Sequence, residues 1–163
     1  MSRAQEVNMK LQENKHEFYI NEALIEAKKA FRKGEVPVGA IIVYNNKIIA
    51  RAYNNREKKQ SVIGHAEILA IKKASKRLKT WRLEDCILYV TLEPCPMCAG
   101  AIIQSRIKEV YYTATDLKSG VVSSIIKMFE LPFNHQVKAE QLDDKDQSKN
   151  LLKDFFKKLR NKG

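Results

Sequence analysis

Four residues have the types and spacing to act together on one reaction. His65 and Glu67 form an H-x-E pair, and Cys95 and Cys98, within Pro94-Cys95-Pro96-Met97-Cys98, form a C-x-x-C pair. One imidazole and two thiolates supply three of the four positions around a tetrahedral zinc ion, which leaves one open for water. An open position suits catalysis, whereas a structural zinc would take a fourth protein ligand. The spare thiol, Cys86, stands nine residues before Cys95 at the start of an apolar run and reads as a core residue. Zinc lowers the pKa of bound water from about 15.7 to roughly 7, and a carboxylate such as Glu67 beside that water can take its proton and deliver it to a substrate.

Each fragment alone also has an ordinary reading. A lone histidine is commonly a core or surface residue, and a lone C-x-x-C occurs in redox proteins and structural zinc sites. Glu67 at a helix start could be a first-turn glutamate favoured by the helix dipole. Residues i and i+2 do not share a helix face, so His65 and Glu67 converge only if the first turn itself caps the pocket.

The elements that must position these residues can be read from periodicity. Ile20, Ala23, Leu24, Ala27, Ala30 and Phe31 recur at helical spacing and Gly34 follows a basic turn, which predicts a helix over residues 17–33. Residues 1–14 are polar and read as a flexible lead, with His16 facing solvent. Residues 38–44 and 47–53, joined by Asn45-Asn46, read as a β-hairpin. A helix should follow His65, carrying Ile68, Ile71 and Ala74 inward. A strand over 87–92 should feed a helix that starts after Pro96, a further strand should span 109–114, and a last helix should fill 143–160. Strands alternating with helices predict an α/β layered domain that opens with an antiparallel hairpin.

At 163 residues and 44% hydrophobic composition, the chain suits a single domain with a real core. It has no run of roughly 20 apolar residues to span a membrane and no hydrophobic signal core. The three cysteines suit metal binding in a reducing compartment, so a cytoplasmic protein is expected. A net charge of +11 favours a polyanionic partner, although 22 lysines against 8 arginines also fit a generally lysine-rich composition. Lys145, Lys149, Lys153 and Lys157 would form one basic stripe on the last helix, with Leu152, Phe155, Phe156 and Leu159 packing inward. That stripe can touch RNA or can be a solvated helix face.

H-x-E followed by P-C-x-x-C, with Pro94 standing 27 residues after Glu67, is the signature of zinc nucleobase deaminases. Further segments resemble bacterial tRNA-specific adenosine deaminases of the cytidine/deoxycytidylate deaminase superfamily. They are Glu35-Val36-Pro37-Val38-Gly39-Ala40, Asn54, the run from Leu88 to Cys95, Met97-Cys98-Ala99-Gly100-Ala101, Ser105-Arg106-Ile107, Phe133-Asn134-His135 and Phe155-Phe156. The resemblance implies a three-layer α/β/α sandwich around a mixed sheet of about five strands, on a homodimer with one zinc per chain. It implies hydrolysis of the wobble adenosine of a tRNA anticodon stem-loop to inosine, with release of ammonia.

Residue by residue, the resemblance makes Glu67 the proton shuttle, and His65, Cys95 and Cys98 the metal ligands. Asn54 becomes a hydrogen-bond partner of the adenine, the Ala66 N–H a donor to the attacking oxygen, and Val38 a pocket wall. Asp116 and Lys118 fall in a loop that should meet the anticodon backbone and sugars. Asn134, Phe156 and Arg160 should shape the RNA surface, and His135 reads as RNA-facing or structural. The chain departs from the family at Ser61-Val62-Ile63-Gly64, where a Pro-Thr-Ala run is usual, which bears on the base-pocket wall. It departs again at Thr113 and Ser123, where glycine is common.

Two rivals remain at this level. A free nucleobase or nucleoside deaminase acting on guanine or cytosine would keep the chemistry, but a small neutral substrate gains little from the +11 field. A silent zinc-stabilised RNA-binding module would have no chemical need for Glu67.

Overall fold

A computed structural model describes residues 1–162. Helix α1 (Arg3–Arg32) leads into the hairpin β1 (Gly39–Tyr44) and β2 (Lys47–Tyr53), the single turn α2 (Arg56–Lys59), and α3 (Ala66–Leu78). Then come β3 (Ile87–Leu92), α4 (Pro96–Gln104), β4 (Glu109–Ala114), β5 (Lys138–Gln141) and α5 (Gln147–Lys162). The sheet order is β2-β1-β3-β4-β5, antiparallel through the first three strands and parallel through the last three.

Strand alternation assigns the two faces. Ile41, Val43, Tyr89 and Tyr111 point toward Tyr19, Ile20 and Ala23 of α1. Their neighbours Ala40, Ile42, Leu88, Val90 and Val110 point the other way, against Ala66, Ala70 and Ala74 of α3 and Ala99 and Ile102 of α4. A period of two on a sheet covered on both sides is what makes three layers, so the sandwich expected from the resemblance is present. Asn45 and Asn46 both adopt positive φ (50° and 60°), the twisted two-residue turn that closes a tight hairpin. At Gly39 any Cβ would strike the Ala23 carbonyl oxygen and the Ala27 nitrogen, so glycine lets α1 lie directly on β1.

Several expectations need correction. Helix α1 begins at Arg3, well before residue 17, because Ser2 and Gln5 form a reciprocal capping box. His16 is half-buried: its Nδ1 lies 2.7 Å from the Tyr89 hydroxyl, and its ring centroid is 4.2 Å from that of Tyr111. Helix α5 starts at Gln147 because Lys145 and Asp146 both have positive φ, which places Lys145 outside the helical stripe. The Asp144 carboxylate caps α5 by accepting from the Ser148 N–H and hydroxyl. On that helix Leu152 and Phe155 are partly buried, but Phe156 and Leu159 are exposed rather than packed inward. Among the described residues, no helix is long and apolar enough to cross a membrane.

Candidate active site

Two helix N-termini meet at the carboxyl end of β3. His65 has extended backbone (φ −89°, ψ 144°) and is the N-cap of α3, so it lies before the helix rather than on it. Glu67 is the second helical residue, and the change of backbone direction at the cap lets both side chains enter one pocket. Cys95 is likewise the N-cap of α4, with Pro96 opening the helix and Cys98 completing its first turn. Free N–H groups and the positive dipole ends at both termini favour thiolate and carboxylate charge there.

Cys95 Sγ and Cys98 Sγ lie 3.7 and 3.5 Å from His65 Nδ1, and the three ligand atoms all fall within 4.8 Å of one another. Tetrahedral zinc with ordinary Zn–N and Zn–S bonds places such atoms about 3.6 Å apart. The donor set therefore fits zinc in both chemistry and spacing, and Nδ1 is the His65 nitrogen that faces both sulfurs. The hydrogen bond from Cys98 pulls the Cys95 thiol down to about 4, helped by His65. Donating that bond, together with burial, pushes the Cys98 thiol up. The bond to Cys95 raises His65 above its ordinary value. Burial pushes Glu67 up to about 7, a range in which a carboxyl group can both accept and return a proton.

A cavity of about 280 Å³ opens above these residues. Val38, Asn54, Ala66, Glu67, Asp116 and Phe156 line it with His65 and Cys95, so eight of the residues singled out from sequence converge. Asn54 is only 6% exposed and its Oδ1 has no hydrogen-bond partner among the described residues. An orphaned acceptor on a polar cavity wall is suited to a ligand N–H. Lys118 and Arg160 lie instead in an adjoining groove of about 940 Å³, which shares Val36, Leu92, Asp116, Ser119 and Phe156 with the cavity and adds Lys149, Lys153 and Lys157.

The structure does not bring Asn134 to either space; it is exposed in a bend. His135 is structural, with Nε2 2.8 Å from the Ile107 carbonyl. Ser61–Gly64 does not line the cavity either. The Asn55 N–H donates to the Gly64 carbonyl and the Gly64 N–H to that of Ser61, while Val62 and Ile63 face outward. The two departures from glycine carry hydrogen bonds. Thr113 Oγ1 lies 3.1 Å from the Thr91 carbonyl and 2.8 Å from Ser148 Oγ, tying α5 to the sheet. Ser123 Oγ lies 2.8 Å from the Tyr112 hydroxyl.

Sequence reasoning missed three contributors. Arg56 lines the cavity from the start of α2, signalled only as a cation two residues past Asn54. Glu35 is buried and accepts from the Glu57 and Lys58 N–H groups (3.0 and 2.8 Å), which fixes the turn carrying Arg56. Glu93, 2% exposed, gathers the loop after β4. Its carboxylate accepts from the backbone N–H of Asp116, Val122, Ser123 and Ser124 and from the Ser124 hydroxyl. Burial alone would raise its pKa, but these donors outweigh it and hold the group below the usual carboxylate value. A Cβ at Gly120 would strike that carboxylate, so glycine permits the loop to wrap it. Asp116 Oδ1 in turn accepts from the Lys118 and Ser119 N–H groups, which folds the loop tip.

This sandwich, with a His-Cys-Cys cluster and a buried glutamate at paired helix ends, defines a deaminase class. A family model for MafB19-like deaminases matches residues 14–160, and the chain belongs to that family. Within it the chain is similar to the tRNA-specific adenosine deaminase of Bacillus subtilis, at 50% identity over 90% of this chain and 91% of that one. It is similar also to that of Aquifex aeolicus, at 51% identity over 89% and 96%. A solved structure from work on A-to-I editing by tRNA:A34 deaminases superposes with a TM-score of 0.79 at 38% identity, covering 82% of this chain and 98% of that chain. Guanine deaminase from Bacillus subtilis superposes with a TM-score of 0.60 at 32% identity, covering 90% and 94%.

Proposed function

We propose that this chain hydrolyses adenosine at the wobble position of a tRNA anticodon loop to inosine and ammonia, in the cytoplasm, as a homodimer with one zinc per subunit. The observation that carries the substrate is the continuity of the buried cavity with a lysine-lined groove: a base can enter while its flanking phosphates lie against Lys118, Lys149, Lys153, Lys157 and Arg160. An adenine must leave the stack to enter such a cavity, which is easiest in a single-stranded loop. The relatives named for this activity support the same reading.

Zinc held by His65, Cys95 and Cys98 would supply Lewis acidity that makes hydroxide available near neutral pH. Glu67 takes a proton from the attacking water and gives it to the purine ring nitrogen as the oxygen adds to C6; it then takes the proton of the new C6 hydroxyl and passes it to the amino group, so that the C6–N bond breaks, ammonia leaves and the C6 carbonyl forms. The N–H of Ala66, the first helical residue and free of an intrahelical acceptor, hydrogen-bonds the oxygen that adds. Asn54 Oδ1 accepts an N–H from the base, and Val38 and Phe156 wall it. Asp116 and Lys118 hold the adjoining sugar-phosphate, Arg160 extends that contact, and Asn134 meets the RNA away from the cavity.

The test is to incubate zinc-loaded protein with an anticodon stem-loop bearing wobble adenosine, and separately with adenosine, cytidine and guanine, measuring inosine and ammonia. Product from the stem-loop alone is expected. Product from guanine alone would overturn the substrate and favour the second reading, which rests on the guanine deaminase superposition. A protein that binds RNA but turns over nothing would reduce the site to a silent zinc module.

A further inference from the structure

Helix α1 is 30 residues long, yet its buried residues begin only at Tyr19 and continue through Ile20, Ala23, Leu24, Ala27 and Ala30. The matched family region begins at residue 14, so the first turns of the helix lie outside it. Residues 3–13 are exposed throughout, but they are not uniformly polar. Ala4, Val7, Leu11, Phe18 and Ile25 fall at the a and d positions of a heptad, with Asn14 and Asn21 at the two remaining d positions. Val7, Leu11, Phe18 and Ile25 are 52, 55, 54 and 45% exposed. At about 100° per residue this stripe points to the side of α1 opposite the face packed on the sheet. An apolar seam sustained along the solvent side of a helix is a coiled-coil surface without its second strand.

The flanking charges say which strand fits. Residues Lys10 and Glu17 occupy g positions, and Lys15 and Glu22 occupy e positions. In a parallel pair of identical helices, g meets the next e of the partner, which sets Lys10 against a lysine and Glu17 against a glutamate. In an antiparallel pair g meets g, and Lys10 lies opposite Glu17 of the partner subunit, twice by symmetry. That register also places Val7 beside Phe18 of the partner subunit, Leu11 beside the partner's Asn14 and Ala4 beside the partner's Asn21. We propose that α1 of this protein is a self-association surface that pairs antiparallel with α1 of a second copy. The proposal is independent of the deaminase reading, and it is separate from any pairing made by the body of the fold.

The test is sedimentation velocity on the full-length protein and on Leu11→Asp, Lys10→Glu, Glu17→Lys and the Lys10→Glu/Glu17→Lys double variant. The native chain should show an association step that doubles the particle mass and is absent in Leu11→Asp. Each single charge reversal turns two attractions into two repulsions and should weaken that step by about tenfold, while the double variant restores it. A contact made elsewhere on the body would survive every one of these changes. A native chain that shows no such step overturns the proposal, as does a step indifferent to Leu11→Asp. Failure of the double variant to recover overturns the antiparallel register. All the substituted side chains are exposed and far from the cavity, so the melting temperature of the variants should remain that of the native monomer unit.

Discussion

At the scale of single residues, two ionisable side chains carry separate expectations, Glu67 in the cavity and His16 under the opposite face of the sheet. Glu67 is buried beside the His65, Cys95 and Cys98 cluster but is not part of it, so Glu67→Gln should retain zinc and RNA binding while turnover falls by about 100-fold or more. Near-normal turnover by that variant, measured as inosine released per zinc, would rule out the proton-shuttle role. His16 offers a titration remote from the metal. Burial lowers its pKa, partly opposed by Glu140 and Glu109 and reinforced by Lys138. A histidine depressed in the folded state contributes stability that is present above its unfolded pKa of ~6.5 and is lost as pH falls through the folded value. The native protein should therefore lose more melting temperature than His16→Gln between pH 7.5 and about 5.5. Equal losses in the two proteins would show that His16 adds nothing to acid sensitivity.

At the scale of elements, function rests on how a strand end, two helix caps and a loop are held together. Glu93 stands two residues before Cys95 and holds four backbone N–H groups of the loop that carries Asp116 and Ser119 into the cavity. Replacing the charged acceptor with the amide of Glu93→Gln should cost about 2 kcal/mol in urea denaturation, because at least one of these donors then faces an N–H₂ group. Hydrogen exchange at Val122, Ser123 and Ser124 should accelerate in the same variant; unchanged exchange would mean that the loop is held by other contacts. Much of this scale was legible in the sequence. The hairpin, α3, β3, α4 and β4 stand where periodicity puts them. Helix α2 was not legible, since four polar residues have no apolar period and the turn exists because Glu35, remote in sequence, accepts its N–H groups. The Lys145 stripe failed for a comparable reason: side-chain spacing does not reveal positive φ at Lys145 and Asp146.

At the scale of the whole molecule, metal and charge couple the site to the rest of the fold. His65, Cys95 and Cys98 lie at the N-terminal ends of α3 and α4, on one face of the sheet, so zinc bound there should cross-link two helices that share a core. Chelation should lower the melting temperature, and Cys98→Ala should lose zinc together with that increment. A variant that keeps its zinc content would remove Cys98 from the ligand set. The net charge of +11 and the lysine-lined groove predict that any affinity for RNA depends on salt. The logarithm of the binding constant should fall with that of salt by a slope of about 0.7 per phosphate contacted on single strands. A flat response would remove the groove from RNA recognition.

The sequence by itself determined which side chains are available to one site: an imidazole, two thiols and a carboxylate at recognisable spacing, on segments whose periodicity placed each at a helix start. Ligand identity is a property of residue type, and local periodicity reports local elements, so both survive without the fold. Only the tertiary structure decided that His65 lies outside α3 and thereby shares a pocket with Glu67. It alone left Asn54 Oδ1 without a partner, made Glu93 the holder of the loop, turned Thr113 and Ser123 into anchors, and set Phe156 at the rim rather than in the core. Each of these depends on which remote backbone groups a side chain meets, and that is fixed by packing across the sheet, not by spacing along the chain.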